Sequence, residues 1–171
     1  MKKIAKTVVV GVIFACTLLG FLGCTASTTG QNASGDNKAM LEQILSALQS
    51  QDAEEIKVLF SPSSLDEAVD IDAGISYIFQ LFGGNVTNTK LTGSSGNEEI
   101  NQGQVVEIET AIFAVTTDKN EYSITFEWYV RNDNEPDEMG LIKLMVLLAS
   151  EEGAALENKP FYEIGPGIYI P

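Results

Sequence analysis

The stretch QVVEIETAIFAVTTDKNEYSITFEWYVR, residues 104–131, decides the fold. Apolar and polar side chains alternate along Gln104 to Thr117 and again along Glu121 to Arg131, which is the pattern of two β-strands. The residues between them, Asp118-Lys119-Asn120, are typical of a tight turn. We therefore expect a long antiparallel hairpin.

The length of this turn sets which side chains share a face of the hairpin. A three-residue turn, Asp118 to Asn120, sets Thr110 opposite Trp128. The face that these two share then carries the apolar pairs Ile108–Val130, Ile112–Phe126 and Ala114–Ile124. The opposite face is mostly polar and carries Glu107–Arg131, Glu109–Tyr129 and Ala111–Glu127, together with Phe113 and Val115. A two-residue turn mixes the faces, so the pattern favours the odd turn, with Trp128 buried towards the helices and Glu127 in solvent.

Upstream of the hairpin, apolar residues recur at helical spacing and then give way to a period of two. Three helices are predicted: one capped by Asp36 or Asn37, one over Ala53 to Phe60, and one from about Leu65 to Phe82, ended by Gly83-Gly84. A strand is predicted over Asn85 to Thr92, followed by a mobile loop from Gly93 to Glu99.

Downstream of the hairpin, Leu141 to Ala149 is apolar on both faces, which is typical of a central buried strand. Ser150 to Lys159 is an acidic excursion, and Tyr162 to Ile170 is predicted to form a last short strand. The sequence therefore predicts an α+β domain, in which about three N-terminal helices pack on a curved antiparallel sheet of four to six strands.

This order of elements resembles the cystatin-like or nuclear-transport-factor-2-like cone. The sequence is similar to a Gram-positive lipoprotein family of unknown function. The residues that carry the likeness are Leu59-Phe60-Ser61, Gly93 to Gly96, Thr117 to Tyr122, Gly140-Leu141 and Gly167 to Pro171. The resemblance implies a fold and a compartment, and it implies no activity.

The N-terminus, MKKIAKTVVVGVIFACTLLGFLGC, has the layout of a secretory signal: a lysine-rich start, then an uncharged apolar run from Thr7 to Gly23. Its end, Phe21-Leu22-Gly23-Cys24, resembles the lipobox of bacterial lipoproteins, with Phe21 where leucine is usual. The resemblance implies cleavage before Cys24 and lipidation of its thiol, which would anchor the chain to the outer face of the cytoplasmic membrane. An uncleaved membrane helix is the alternative, and it places the remainder outside as well.

These assignments divide the chain into a signal peptide over residues 1–23, a disordered tether over residues 24–37 and a single domain over residues 38–171. The tether prediction rests on small polar residues that have nothing to bury.

The amino-acid composition argues against several classes of function. The chain has a formal net charge of −14, which argues against binding nucleic acid. It contains no histidine, so catalytic triads that use histidine and ordinary zinc sites are excluded. Its two cysteines are Cys16 in the signal and Cys24, so the predicted domain has neither a disulfide nor a free thiol.

The candidate ligand pocket is aromatic. Its residues are Tyr77, Phe79, Phe82, Phe126 and Trp128. In cones of this type the gap between helices and sheet often holds an apolar ligand, although aromatic residues at such spacing also form a filled core.

Catalytic candidates are the carboxylates of Asp70, Asp72 and Glu127 together with Tyr77, which would need a buried acid of shifted pKa. The acidic turn, residues 133–138, offers oxygen ligands without calcium-loop spacing. No phosphate-loop or dinucleotide motif is present, so neither a cofactor nor a metal is predicted. We expect a non-enzymatic module that binds an apolar ligand, a peptide or an envelope partner. The alternatives are a carboxylate–tyrosine enzyme and a purely structural assembly partner.

Overall fold

The computed structural model describes residues 29–171, so the predicted signal peptide, Cys24 and the start of the tether lie outside the described residues. The helices are α1 (Thr29–Ser50), α2 (Ala53–Lys57), α3 (Pro62–Glu67), α4 (Ile71–Leu81) and α5 (Glu152–Asn158). The strands are β1 (Val86–Asn101), β2 (Gln104–Thr117), β3 (Glu121–Asn132), β4 (Gly140–Leu148) and β5 (Gly167–Ile168). None of the helices within residues 29–171 is long and apolar enough to cross a membrane.

The predicted α+β class is confirmed: mostly N-terminal helices accompany one five-stranded sheet of order β1-β2-β3-β4-β5. Strands β1 to β4 pair antiparallel. The last strand is shorter than predicted, and it pairs parallel to β4, with Lys143 opposite Gly167. The sheet is therefore not wholly antiparallel, because the chain crosses over through α5 before it returns beside β4.

The main core lies between the helices and one face of the sheet. Helix α1 contributes Leu41, Ile44 and Leu48, and α4 contributes Ile75 and Ile78. The sheet contributes Ala111, Phe113, Val115, Tyr122, Ile124, Phe126, Leu144 and Val146. The strand β4 is buried on both faces, as predicted, because Met145 and Leu147 form a second core with Ala155, Ile164 and Tyr169 on the opposite side. It lies next to the edge strand β5 and not at the centre of the sheet.

The predicted register of the hairpin is wrong by one residue over most of its length. Thr116, and not Thr117, lies opposite Glu121, and Ala111 lies opposite Phe126. The turn is closed by Thr117, whose Oγ1 accepts hydrogen bonds from the backbone N–H of Lys119 (3.2 Å) and of Asn120 (3.0 Å).

The shift exchanges the faces of β2 and leaves those of β3 as predicted. Ala111, Phe113 and Val115 face the helices. Trp128 packs on the helix side, partly buried. Glu127 is not in solvent as predicted, because its side chain is only 22% exposed and pairs with Lys143 at 3.1 Å. Bulges between Glu107 and Ile108 and between Glu127 and Trp128 change the alternation locally.

Two other boundaries differ from the predictions. The glycine–serine segment Gly93 to Glu99 is not a loop but part of β1, because β2 supplies backbone partners along its whole length. The true turn lies at Gln102 and Gly103, where φ is 52° and 86°. The predicted third helix is split into α3 and α4, because Ala68 is extended and the side chain of Asp70 accepts the N–H of Ala73 to cap a new helix.

Helix α1 begins at Thr29, earlier than the cap predicted at Asp36 or Asn37, so residues 29–37 of the predicted tether are helical. Asn37 is fully buried. Its hydrogen bonds to the sheet hold the part of α1 that precedes Met40, where the apolar face of the helix begins.

Candidate functional site

The five aromatic residues predicted to line a pocket all belong to the main core. Phe82 and Phe126 are buried, and Tyr77, Phe79 and Trp128 pack partly buried against the same cluster. The ring of Phe126 stacks on Phe113, with 6.0 Å between centroids and 9° between planes. The ring of Phe82 lies 4.8 Å from that of Tyr122. The two most buried members of the set therefore fill space between the helices and the sheet.

The three carboxylates predicted as catalytic candidates have structural partners. Asp70 caps α4, Asp72 pairs with Lys57 at 2.8 Å, and Glu127 pairs with Lys143. Tyr77 has a pKa raised by burial and then by the charges of Glu151 and Tyr169, so none of the three carboxylates acts on it.

A buried polar cluster, which the sequence did not predict, joins α1 to the sheet. Its members are Asn37, Glu109 and Trp128. The indole Nε1 of Trp128 donates to Oδ1 of Asn37 at 2.8 Å, and Nδ2 of Asn37 donates to Oε2 of Glu109. Asn37 is fully buried, and Glu109 is only 6% exposed. The cluster uses both ends of one carboxamide to tie a helix to two strands.

Burial raises the pKa of Glu109 above its ordinary value. The hydrogen bond from Asn37 opposes this effect, whereas the charges of Glu107 and Asp36 add to it. A carboxyl of this kind holds its proton more tightly than a surface glutamate does. One feature of the sequence could have predicted the burial of Glu109. Glu109 lies on the same face of β2 as Ala111, Phe113 and Val115, and the predicted register placed that face on the outside.

The acidic turn is held by neighbouring groups. Asp133 accepts from Arg131 at 2.8 and 2.7 Å and from the N–H of Val105. Glu138 accepts from the N–H of Ser63 at 2.8 Å. Among residues 29–171, histidine, cysteine, aspartate and glutamate nowhere form a group of three that could hold a metal ion.

An apolar cleft of about 430 Å³ lies between the segment that joins α3 to α4 and the C-terminal residues. It is lined by Ala68, Val69, Asp70, Lys159, Ile164, Gly165, Pro166 and Ile168 to Pro171. Val69 is fully exposed, and Ile170 is 44% exposed. Exposed aliphatic side chains around a concave surface offer a site for an apolar ligand.

The walls of this cleft are fixed by close backbone packing. A Cβ at Gly74 would lie 2.6 Å from the Cβ of Ile168, so α4 and β5 approach as closely as they do only because position 74 is glycine. The N–H of Tyr169 donates to the carbonyl of Leu144 at 2.9 Å, which ties the C-terminal wall to the sheet.

A second cleft, of about 450 Å³, is polar. It lies where α1 ends, beside the β2–β3 turn, and is lined by Leu48, Gln49, Gln51, Gln80, Phe82, Gly83, Gly84, Asn85 and Lys119. Phe82 is thus the one predicted pocket residue that touches either of these two clefts.

Comparison with protein-family models identifies the family of the chain. A family model described as "Domain of unknown function (DUF5104)" matches residues 43–151, which is more than half of the chain. The match covers α1 from Gln43 onwards, the remaining N-terminal helices and strands β1 to β4. No curated protein matches the chain.

Proposed function

The chain belongs to the DUF5104 family, and from its own surface we propose that it is a non-enzymatic binding module, anchored to the outer face of the cytoplasmic membrane. Its partner there is an apolar ligand or the apolar segment of a peptide or envelope protein. Lipid on Cys24 supplies the anchor, in line with the lipobox-like sequence Phe21 to Cys24.

The apolar cleft is the observation that carries this proposal. Several large apolar side chains of the described residues are exposed, and two of them, Val69 and Ile170, lie together at the rim of one concave surface. Covering them would remove apolar area from water, which favours binding by roughly 25 cal/mol per Å². Lys159 also lines this cleft, and it would suit a ligand with an acidic end.

We also propose that the domain has the cone-shaped architecture that its sequence resembles. The antiparallel order of β1 to β4, with α1 to α4 on one face, supports a cystatin-like or nuclear-transport-factor-2-like fold. Such a fold would present the ligand site on a rigid scaffold.

The test is native mass spectrometry of the full chain in membrane nanodiscs. We expect the wild type to retain a non-covalent ligand that Val69→Ser/Ile170→Ser loses, because the variant removes apolar surface at the rim. Val58→Ser is the matched control, since Val58 is 76% exposed but does not line the cleft. A wild type without ligand, or a double variant that retains it, contradicts the proposal.

A second candidate function, a carboxylate-dependent enzyme, is supported by Glu109, which is buried with a raised pKa. It fits less well for two reasons. The carboxylate of Glu109 is already bound by Asn37, and the charges that act on Tyr77 come from Glu151 and Tyr169 instead.

A further inference from the structure

We propose that the polar cleft at the end of α1 binds a hydroxyl-rich ligand, namely a short run of sugar units from an envelope polysaccharide. This site is separate from the apolar cleft. It shares with the proposed function only the position outside the membrane.

The polar side chains that line the cleft are mainly carboxamides, and several of their polar atoms make no hydrogen bond with the described residues. The side chains of Gln49 and Gln80 are exposed, and they make no hydrogen bond with the described part of the chain. Gln51 uses one N–H on the carbonyl of Phe79, at 3.3 Å, and its carbonyl oxygen accepts nothing from the described residues. A carboxamide both donates and accepts, and so does a sugar hydroxyl, so the two groups are matched in both directions.

The floor of the cleft is rigid. The hydroxyl of Tyr122 accepts from the N–H of Gly83 at 2.9 Å, and Thr117 Oγ1 donates to the carbonyl of Gly83 at 3.0 Å. Asn85 donates to Asp118 through both its backbone and its side chain. Gly84 has φ of +91°, and a Cβ there would lie 2.3 Å from Asp118 Oδ1, so the backbone fits this position without a side chain. Because this floor is already ordered, the protein loses less conformational entropy when a ligand binds.

The charge of the cleft differs from that of the domain. The sequence contains 24 acidic residues, and the described lining of the cleft includes none of them. Its one charged member, Lys119, forms no ion pair with the residues that the structure describes. The carboxylate of Asp118 lies outside this lining, but it accepts from Asn85 and interacts with the charge of Lys119. A neutral sugar therefore suits the cleft better than one that carries a carboxylate.

Apolar occupants are disfavoured at this cleft. Its two large apolar members, Leu48 and Phe82, are 2% and 6% exposed, so they offer little surface to a hydrophobic side chain. This is the reverse of the apolar cleft, where aliphatic side chains stand exposed.

The cleft lies next to the end of α1 that is farther from Cys24 in the sequence. Helix α1 starts at Thr29, five positions after Cys24, and ends at Ser50, next to the cleft. At 1.5 Å per residue the helix is about 33 Å long. The cleft is thus separated from Thr29 by the length of α1.

The experiment is calorimetric titration of the full chain, in membrane nanodiscs, with the soluble β-1,4-linked hexamer of N-acetylglucosamine. We expect the wild type to bind, and Gln49→Leu/Gln80→Leu to bind at least about tenfold more weakly, because two or more hydrogen bonds are lost. Gln80→Glu, which has the same shape but no side-chain N–H, should also weaken binding while the protein stays folded.

Gln43→Leu is the matched control, because Gln43 is an exposed carboxamide on the same helix outside the cleft, and its binding should change less than about twofold. Val69→Ser/Ile170→Ser should leave hexamer binding unchanged, which separates this proposal from the apolar-cleft proposal. Two results would overturn it: no heat of binding at millimolar hexamer, or an undiminished affinity in the Gln49→Leu/Gln80→Leu variant.

Discussion

At the scale of single residues, Asn37 is a buried polar side chain that joins parts of the chain far apart in the sequence. It lies 72 residues from Glu109 and 91 from Trp128 in sequence, and it bonds both. Its neighbours in sequence are small and polar, so local pattern assigns it to a tether. Only the folded sheet brings its partners together, and this is why sequence reasoning could not find the cluster.

Asn37→Ala tests how much the cluster contributes. The change leaves the N–H of Trp128 and one oxygen of Glu109 buried without partners, so we expect a loss of about 2–4 kcal/mol in the free energy of unfolding. Urea unfolding of the full chain measures it. Gln43→Ala, an exposed carboxamide on the same helix, should cost less than about 0.5 kcal/mol. Equal effects from the two variants would mean that the cluster does not hold α1 to the sheet.

Glu109→Gln should change stability in a pH-dependent way. Below the ordinary glutamate pKa of 4.5 the carboxyl is protonated in both folded and unfolded chains. As the pH rises the unfolded chain ionises first, because burial raises the folded pKa, and the folded state loses stability until the pH passes that folded pKa. The variant removes this loss.

We therefore expect Glu109→Gln to be more stable than wild type at pH 7 and equally stable at pH 4, measured by urea unfolding at both values. Glu99→Gln, an exposed position on β1, serves as the control and should show no such pH-dependent gain. A gain of the same size at pH 4 would point to packing and not to ionisation.

At the scale of elements, the sequence pattern predicts the burial of a strand correctly where only one interpretation fits the pattern. The strand β4 is apolar at nearly every position, so its burial on both faces followed directly. In β2 both faces carry apolar residues, with Ile108 and Ile112 on one and Phe113 and Val115 on the other, and the alternation therefore could not choose between registers. In the structure Thr117 Oγ1 bonds Lys119 and Asn120 within the turn and also the carbonyl of Gly83, and only the bond to Gly83 joins residues far apart in the sequence.

Thr117→Val tests this account of the turn. The Oγ1 of Thr117 accepts two N–H groups of the turn and donates towards the carbonyls of Gly83 and Asn120. Valine keeps the shape and removes these bonds, so we expect a loss of about 1–3 kcal/mol in unfolding free energy. Thr116→Val, next in sequence, removes a hydroxyl that bonds no described residue and should cost less than about 0.5 kcal/mol. If the two variants unfold alike, the turn is not held by Thr117.

At the scale of the whole molecule, the net charge of the chain and the positions of the two clefts are compatible with a domain that stands off a membrane surface. The full chain has a net charge of −14, and the domain lacks the three lysines of the predicted signal, so an anionic membrane surface repels the domain. A lipid on Cys24 would nevertheless hold it there, at the start of α1. Within the domain, the polar cleft lies next to the end of α1, while the apolar cleft lies beside the C-terminal residues.

This arrangement depends on the anchor, and Cys24→Ala tests the anchor directly. Without the thiol no thioether to lipid can form, so cells given radioactive palmitate should not label the variant, and the precursor should stay uncleaved. Cys16→Ala is the matched control, because Cys16 lies within the predicted signal and not at its end. The control should label as the wild type does. Labelling and normal processing of Cys24→Ala would contradict the lipobox reading. The uncleaved membrane helix would then be the better account of how the domain stays outside.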